Sequence, residues 1–270
     1  MQNRNLVPHR LYREDPLSLE EREAYERDLI SFCDRELNLL GDIEGLAVLY
    51  VGGSSPLWLE GLSQRIGRTG TLVALEADIE LVEEGQVLLR ETDIAAPVRI
   101  VAGDVFRPPF EADAFDLVYS AGLFHELDVR ERSVEDALAA LASVARTDGR
   151  IGTSDFVDTV PAVQLEDEEF QRELSWKLSG VELYGIGSPE RLITLHSTLL
   201  DGVRWRLSPP HLVRYLGTVV LAEDEPEELR NLPVGARRRL CERRRLFRER
   251  IRHEGYTRPA TLYIEGRVSN

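Results

Sequence analysis

Apolar and polar positions recur along the chain with two distinct periods. From Pro16 to Leu40 the apolar residues Tyr25, Leu29, Phe32, Cys33, Leu37 and Leu40 return at three- and four-residue steps, which predicts a helix with one buried face. Ser18, with Glu21 three positions on, has the pattern of a capping box, and Gly41 supplies a stop. Beyond Leu46 the pattern changes to short apolar runs: Leu46–Val51, Thr71–Glu76, Val98–Val101, Phe115–Ser120 and Arg150–Phe156. Runs of that length predict buried strands. Amphipathic stretches separate them at Leu57–Ile66, Ile79–Glu91 and Glu131–Arg146, whereas the link from Val101 to Phe115 is short and proline-rich.

Strand and helix alternating in this way predict an α/β fold, doubly wound, with helices on both faces of a mostly parallel sheet. Val203–Leu207 and Ala260–Val268 bring the sheet to seven strands. Between Phe156 and the last strand the rhythm breaks. Asp158–Gly187 is acidic and then helical, Glu190–Leu200 reads as a helix, and His211–His253 as mostly helical, so the C-terminal part carries a helical insertion or lid.

Composition narrows the setting. The chain is 43% hydrophobic and 30% charged, ordinary for a globular protein, and its apolar runs are too short to span a bilayer. Met1–Arg10 lacks the apolar core of a signal peptide. Cys33 and Cys241, far apart and without metal-ligand spacing, predict a reduced, cytoplasmic protein with neither disulfide nor zinc site. The net charge of −15 repels nucleic acid and anionic membranes unless a local basic patch overrides it.

In an open parallel sheet, ligands bind at the carboxyl ends of the strands, near the point where strand order reverses. The first strand runs into V-L-Y-V-G-G-S-S-P-L, Val48 to Leu57. Gly52, Gly53, Ser54 and Ser55 let a ligand approach the backbone, and Pro56 fits the first turn of the next helix. Amides at that helix start then face the ligand's polar groups; a tight turn with no ligand is the alternative. The second strand ends in Glu76, where an acid in nucleotide-binding folds accepts the ribose hydroxyls, unless it is merely solvated. The third ends in V-A-G-D-V. Asp104 there can accept from an adenine amino group while Val105 flanks the ring; a plain Gly-Asp turn is the other reading.

In their order and spacing these features resemble the class I S-adenosylmethionine-dependent methyltransferases, over roughly Leu46 to Phe156. A-F-D-L-V-Y-S, Ala114 to Ser120, resembles that family's fourth strand, with Asp116 near its start. Glu135 to Ser154 resembles its next helix, D-G-R turn and fifth strand. A nicotinamide-binding domain would share the first loop and Glu76 but not the Gly103–Asp104 turn or the Asp116 strand with its His125 loop. The resemblance implies S-adenosylmethionine as cofactor, held by Gly52, Gly53, Ser54, Glu76, Asp104, Val105 and Ser120. The chain departs from the family where Tyr50 replaces an acid, and Ser54 and Pro56 replace two glycines. The division implied is an N-terminal helical segment (1–45), a cofactor-binding half (46–157) and a specificity or lid region with the last strands (158–270).

Methyl transfer is an in-line displacement from an activated sulfonium. The protein has to align the nucleophile and exclude water, with a base where the acceptor is a hydroxyl or acidic carbon. G-L-F-H-E-L-D, Gly122 to Asp128, is similar to the His-Asp-Trp segment of small-molecule O-methyltransferases, whose histidine is the base. His125 is therefore the catalytic candidate; packing or capping the following helix is the other role open to it. His196, on an apolar helix, reads as a core or capping residue, and His253 and Tyr256 border the last strand. Trp176, Tyr184, Trp205, Tyr215 and Leu216 supply either an acceptor surface or the core of a helical subdomain. The arginine-rich, amphipathic Ala236–Arg252 offers a face to RNA or a salt-bridged one. Glu242 and Glu249 interrupt it, and Glu223–Glu228 lies just before.

The expected function is methyl transfer to a small organic acceptor, O-methylation preferred, without a metal. Nucleic acid and membrane are not expected as partners, and a homodimer is among the assemblies the sequence allows. A methyltransferase fold that has lost turnover and serves as a scaffold, and an RNA methyltransferase using the arginine-rich helix, are the alternatives.

Overall fold

The computed structural model describes residues 17–53, 55–90, 92–129, 134–157, 163–180, 188–216 and 227–269. Helix α1 (Leu19–Leu37) begins at the expected capping box. The Ser18 hydroxyl accepts from the Glu21 amide while the Glu21 carboxylate accepts from the Ser18 amide at 2.8 Å. A 3-10 turn (Asn38–Leu40) then leads into β1 (Ala47–Val51).

β1, β2 (Thr71–Glu76), β3 (Val98–Ala102), β4 (Phe115–Ala121) and β5 (Ala145–Val157) are parallel neighbours in the order β3-β2-β1-β4-β5. β9 (Ala260–Val268) pairs antiparallel with β5, and β6 (Leu200–Ser208) antiparallel with β9, completing seven strands. The order reverses between β1 and β4. There Val51 sits in register with both Leu75 and Ser120, which aligns the carboxyl ends of three strands. Four of the five β1 residues are buried, because a central strand is covered on both faces; this is why its run is unbroken.

α1, α2 (Pro56–Ile66) and α3 (Ile79–Leu89) cover one face, over a core that includes Cys33, Leu37, Tyr50, Leu62 and Tyr119. α4 (Phe124–Val129), α5 (Val134–Val144) and α7 (Pro189–Leu199) cover the other, over Val118, Phe124, Leu138, Ile151 and Leu192. Asp116 lies at the opposite end from the ligand edge. Its carboxylate accepts from the Ala47 amide at 2.8 Å and pairs with Arg146, tying the starts of β1 and β4 together. Arg146, expected at a helix end, belongs instead to β5. That strand starts before the D-G-R turn, with Asp148 at φ +60° inside it.

The C-terminal helices α6 (Val163–Ser179), α8 (Glu227–Arg230) and α9 (Val234–Glu254) share a small core of Phe170, Leu174, Leu229, Leu232 and Leu240. The stretch from His211 departs from the helical expectation. His211–Val213 is β7, and it pairs antiparallel with β8 (Tyr256–Arg258) to make a separate two-stranded sheet. That sheet is fastened to α1. Asp28 accepts from the Arg214 amide and from both ends of its guanidinium at 2.8–2.9 Å, and Val213 packs on Tyr25 and Leu29. No helix of the described residues is long and apolar enough to cross a membrane.

Candidate active site

At the end of β1 the chain turns through Gly52, whose φ of +88° is open to glycine and strained for other residues. Its amide donates to Leu75 O at 3.1 Å, holding the loop against β2. A Cβ on Gly53 would lie 3.3 Å from the Tyr50 hydroxyl, so Tyr50 forms the floor of the loop. In place of the family's acid this buried phenol stacks with Tyr119 and Trp58, and burial pushes its ionisation up. Ser55 precedes α2 without a side-chain cap, which leaves the first-turn amides to other acceptors. Ser54 lies outside the described residues.

The neighbouring strand ends supply the acids. Glu76 is buried at the end of β2, and its Oε1 accepts from the Asp78 amide at 2.9 Å. Asp104 is exposed beyond β3, in a turn closed where its carboxylate accepts from the Phe106 amide at 3.1 Å. Gly103 is needed there, since a Cβ would meet Leu75 at 2.7 Å and Pro109 at 2.9 Å. Val105 follows, half-buried against the core. Ser120, next to last in β4 and beside Val51, is 1% exposed, and its hydroxyl has no partner among the described residues. Gly52, Gly53, Glu76, Asp104, Val105 and Ser120 thus come together along one edge, at the switch point. An approachable backbone, an uncapped helix start, two acids and an orphaned hydroxyl fit an adenosyl amino acid.

His125 is brought to the same end. It is 4% exposed, its amide donates to Asp155 Oδ1 at 3.0 Å, and its Nδ1 is 3.3 Å from that oxygen. The ring meets Phe156 edge-on at 5.4 Å. His196 is a core residue. Its Nδ1 donates to Leu192 O at 2.7 Å, so Nε2 accepts from the Thr153 hydroxyl at 3.0 Å, and burial lowers its pKa. Tyr256 donates to buried Asp167 at 2.7 Å, holding β8 to α6, and His253 is exposed.

Beside this edge, on the α1 face, lies a partly open pocket. Ala121 at the end of β4, Gly122 just after it, and Ser154 and Phe156 on β5 line it. Phe32, Glu36 and Trp58 come from α1 and α2, Arg258 from β8 and Thr261 from β9. The Arg258 guanidinium carbon is 4.4 Å from the ring centres of both Phe32 and Phe156, a cation between two faces. The aromatic residues expected to form an acceptor surface lie elsewhere. Trp176 and Trp205 are exposed, Tyr215 and Leu216 pack beside α1, and Tyr184 lies outside the described residues. Periodicity does not separate pocket from core, so Phe32 and Trp58 escaped notice. Glu36 carried a signal: a carboxylate on the apolar stripe of a helix.

The arginine-rich helix is α9. Arg239 and Arg243 pair with Glu173, Arg245 with Glu242 and Glu249, and Arg250 with Glu254 and Glu166. The across-helix partners come from α6. The side chains of Glu223–Glu228 lie outside the described residues.

Residues 48–149 match a family model described as a methyltransferase domain. A curated relative, a ubiquinone/menaquinone biosynthesis C-methyltransferase from Stutzerimonas stutzeri, is 28% identical over 120 residues, 44% of this chain and 45% of the relative. The match thus spans less than half the length of either protein. Among solved structures, a cyclopropane-fatty-acyl-phospholipid synthase-like protein from Lactobacillus casei superposes with a TM-score of 0.59 at 14% identity, over 92% of this chain and 93% of that one. The YcgJ protein of Bacillus subtilis gives 0.57 at 16% identity, over 89% and 99%. At such identities these two speak to the fold alone. Strand order and motif order agree with the family match, which places a methyltransferase domain over residues 48–149.

Proposed function

We propose that the chain transfers a methyl group to a small organic acceptor held in the pocket beside β4 and β5, with a hydroxyl preferred as acceptor atom. The observation that carries this reading is the pocket itself. It opens at the carboxyl ends of the strands, and its walls are the aromatic residues Phe32, Trp58 and Phe156. When bound, S-adenosylmethionine supplies an electrophilic methyl on a sulfonium. Gly52, Gly53 and Ser54 hold its amino acid end, Glu76 the ribose, and Asp104 and Val105 the adenine. Ser120 lies beneath. Of the three parts proposed for the chain, 1–45 contributes Phe32 and Glu36 of α1 to the acceptor site, 46–157 binds the cofactor, and 158–270 contributes Arg258 and Thr261.

Carbon is the second acceptor atom to consider, because the curated relative is a C-methyltransferase by name. RNA is less favoured, since acidic neighbours neutralise much of the basic face of α9. His125 we assign to positioning: its buried contacts with Asp155 and Phe156 fix the loop between β4 and α4. A decisive experiment incubates the chain with methyl-labelled S-adenosylmethionine and a cell extract, then separates products by size. Label in the small-molecule fraction is expected. Label in RNA would favour the α9 reading, and no label despite bound cofactor would favour a scaffold.

A further inference from the structure

Glu36 is a carboxylate set in an apolar stripe. It follows Phe32 by one turn of α1, stands beside Cys33 and Leu37, and is 0% exposed. Its Oε1 is 3.3 Å from Arg35 Nε, while Oε2 has no hydrogen-bond partner among the described residues. Thr261, near the start of β9, is 3% exposed, and its hydroxyl is orphaned in the same sense. Both residues line the pocket. Each such group is costly to leave unmade, so two of them at one pocket point to a ligand that supplies their missing partners.

The chemistry of these walls limits that ligand. The rings of Phe32, Trp58 and Phe156 suit a flat molecule. An ionised carboxylate only accepts, so the molecule has to donate; a threonine hydroxyl can donate in return. A hydroxyl on a planar ring meets all three demands. We propose that Glu36 and Thr261 form the acceptor subsite, that the acceptor is a planar ring bearing a hydroxyl, and that Glu36 takes up the hydroxyl proton.

This inference rests on reading the pocket as the acceptor site of a methyltransferase. The hydroxyl oxygen attacks the methyl carbon; the O–C bond forms as the bond from that carbon to sulfur breaks. The hydroxyl proton passes to Glu36 Oε2, and S-adenosylhomocysteine departs as a neutral thioether. Glu36 later releases the proton to water. Burial raises the pKa of Glu36, opposed by the Arg35 guanidinium and by Arg258 from β8, so it is a stronger base than a surface carboxylate.

The test uses the full chain loaded with S-adenosylhomocysteine and three probes, phenol, anisole and toluene, titrated by calorimetry. Phenol is expected to bind about tenfold or more tightly than the other two. Glu36→Leu and Thr261→Val should erase or reduce that preference and leave toluene unchanged. With labelled S-adenosylmethionine, Glu36→Gln, which keeps the shape and an accepting oxygen, should lose at least about a hundredfold in methyl transfer to phenol. Equal binding of phenol and toluene by the wild type overturns the subsite. Undiminished transfer by Glu36→Gln, or none by the wild type, overturns the base. Failure of S-adenosylhomocysteine to bind would sink the methyltransferase reading itself, an outcome distinct from these.

Discussion

Asp155 Oδ1 accepts the backbone amide of His125 at 3.0 Å and lies 3.3 Å from the same residue's ring Nδ1. The Phe124 amide donates to it as well, at 2.8 Å, so one carboxylate from β5 caps α4 and orients the imidazole. Removing it strands two amides and a ring nitrogen in the core. Asp155→Ala is expected to lower stability by about 2–4 kcal/mol in urea denaturation. His125→Ala should cost less and leave S-adenosylhomocysteine affinity within a few-fold. A His125→Ala variant of full stability that loses all turnover would return the base role to His125.

Acid should weaken the fold through His196 and His211. Burial lowers the pKa of both, and the Arg35 charge adds to the effect at His211. A histidine whose folded pKa lies below its unfolded value binds more protons when unfolded. Stability is therefore full above the unfolded value of about 6.5 and falls as pH drops below it, by up to ~1.4 kcal/mol per pH unit for the buried His196 and by less for the half-exposed His211, which solvent screens. Urea midpoints measured across the acid range check this. A His196→Gln variant should show a shallower loss than the wild type, and an identical slope would contradict the assignment.

The ion pairs between α9 and α6 predict weak attraction to polyanions. Filter binding of single-stranded RNA at physiological salt is expected to show no specific complex, and Glu173→Ala should change stability by less than about 1 kcal/mol. That glutamate serves Arg239 at 2.7 Å and Arg243 at 3.2 Å. Tight RNA binding by the wild type, with a steep salt dependence, would overturn the pairing as the helix's main role.

The strands beside the switch point were legible because burial on both faces leaves an unmistakable run, as in Val48–Val51. The capping box at Ser18 was legible because its chemistry is local. β7 and β8 were not: each has three residues, and Val213 meets Tyr256 only after the intervening chain has folded. The residues of the candidate cofactor edge were picked out because each lies at, or within a few residues of, the end of a strand. The pocket was hidden for a different reason. Its walls come from α1, α2, β5, β8 and β9, and only the tertiary fold brings Phe32, Trp58, Phe156 and Arg258 together.

Whether the edge formed by Gly52, Glu76 and Asp104 is the cofactor site is tested most directly by titrating S-adenosylhomocysteine calorimetrically into the wild type and Glu76→Ala. The wild type should bind, and loss of the Glu76 carboxylate at the end of β2 should weaken binding by about 1–3 kcal/mol. No heat of binding to the wild type, or an affinity untouched by Glu76→Ala, would contradict that placement.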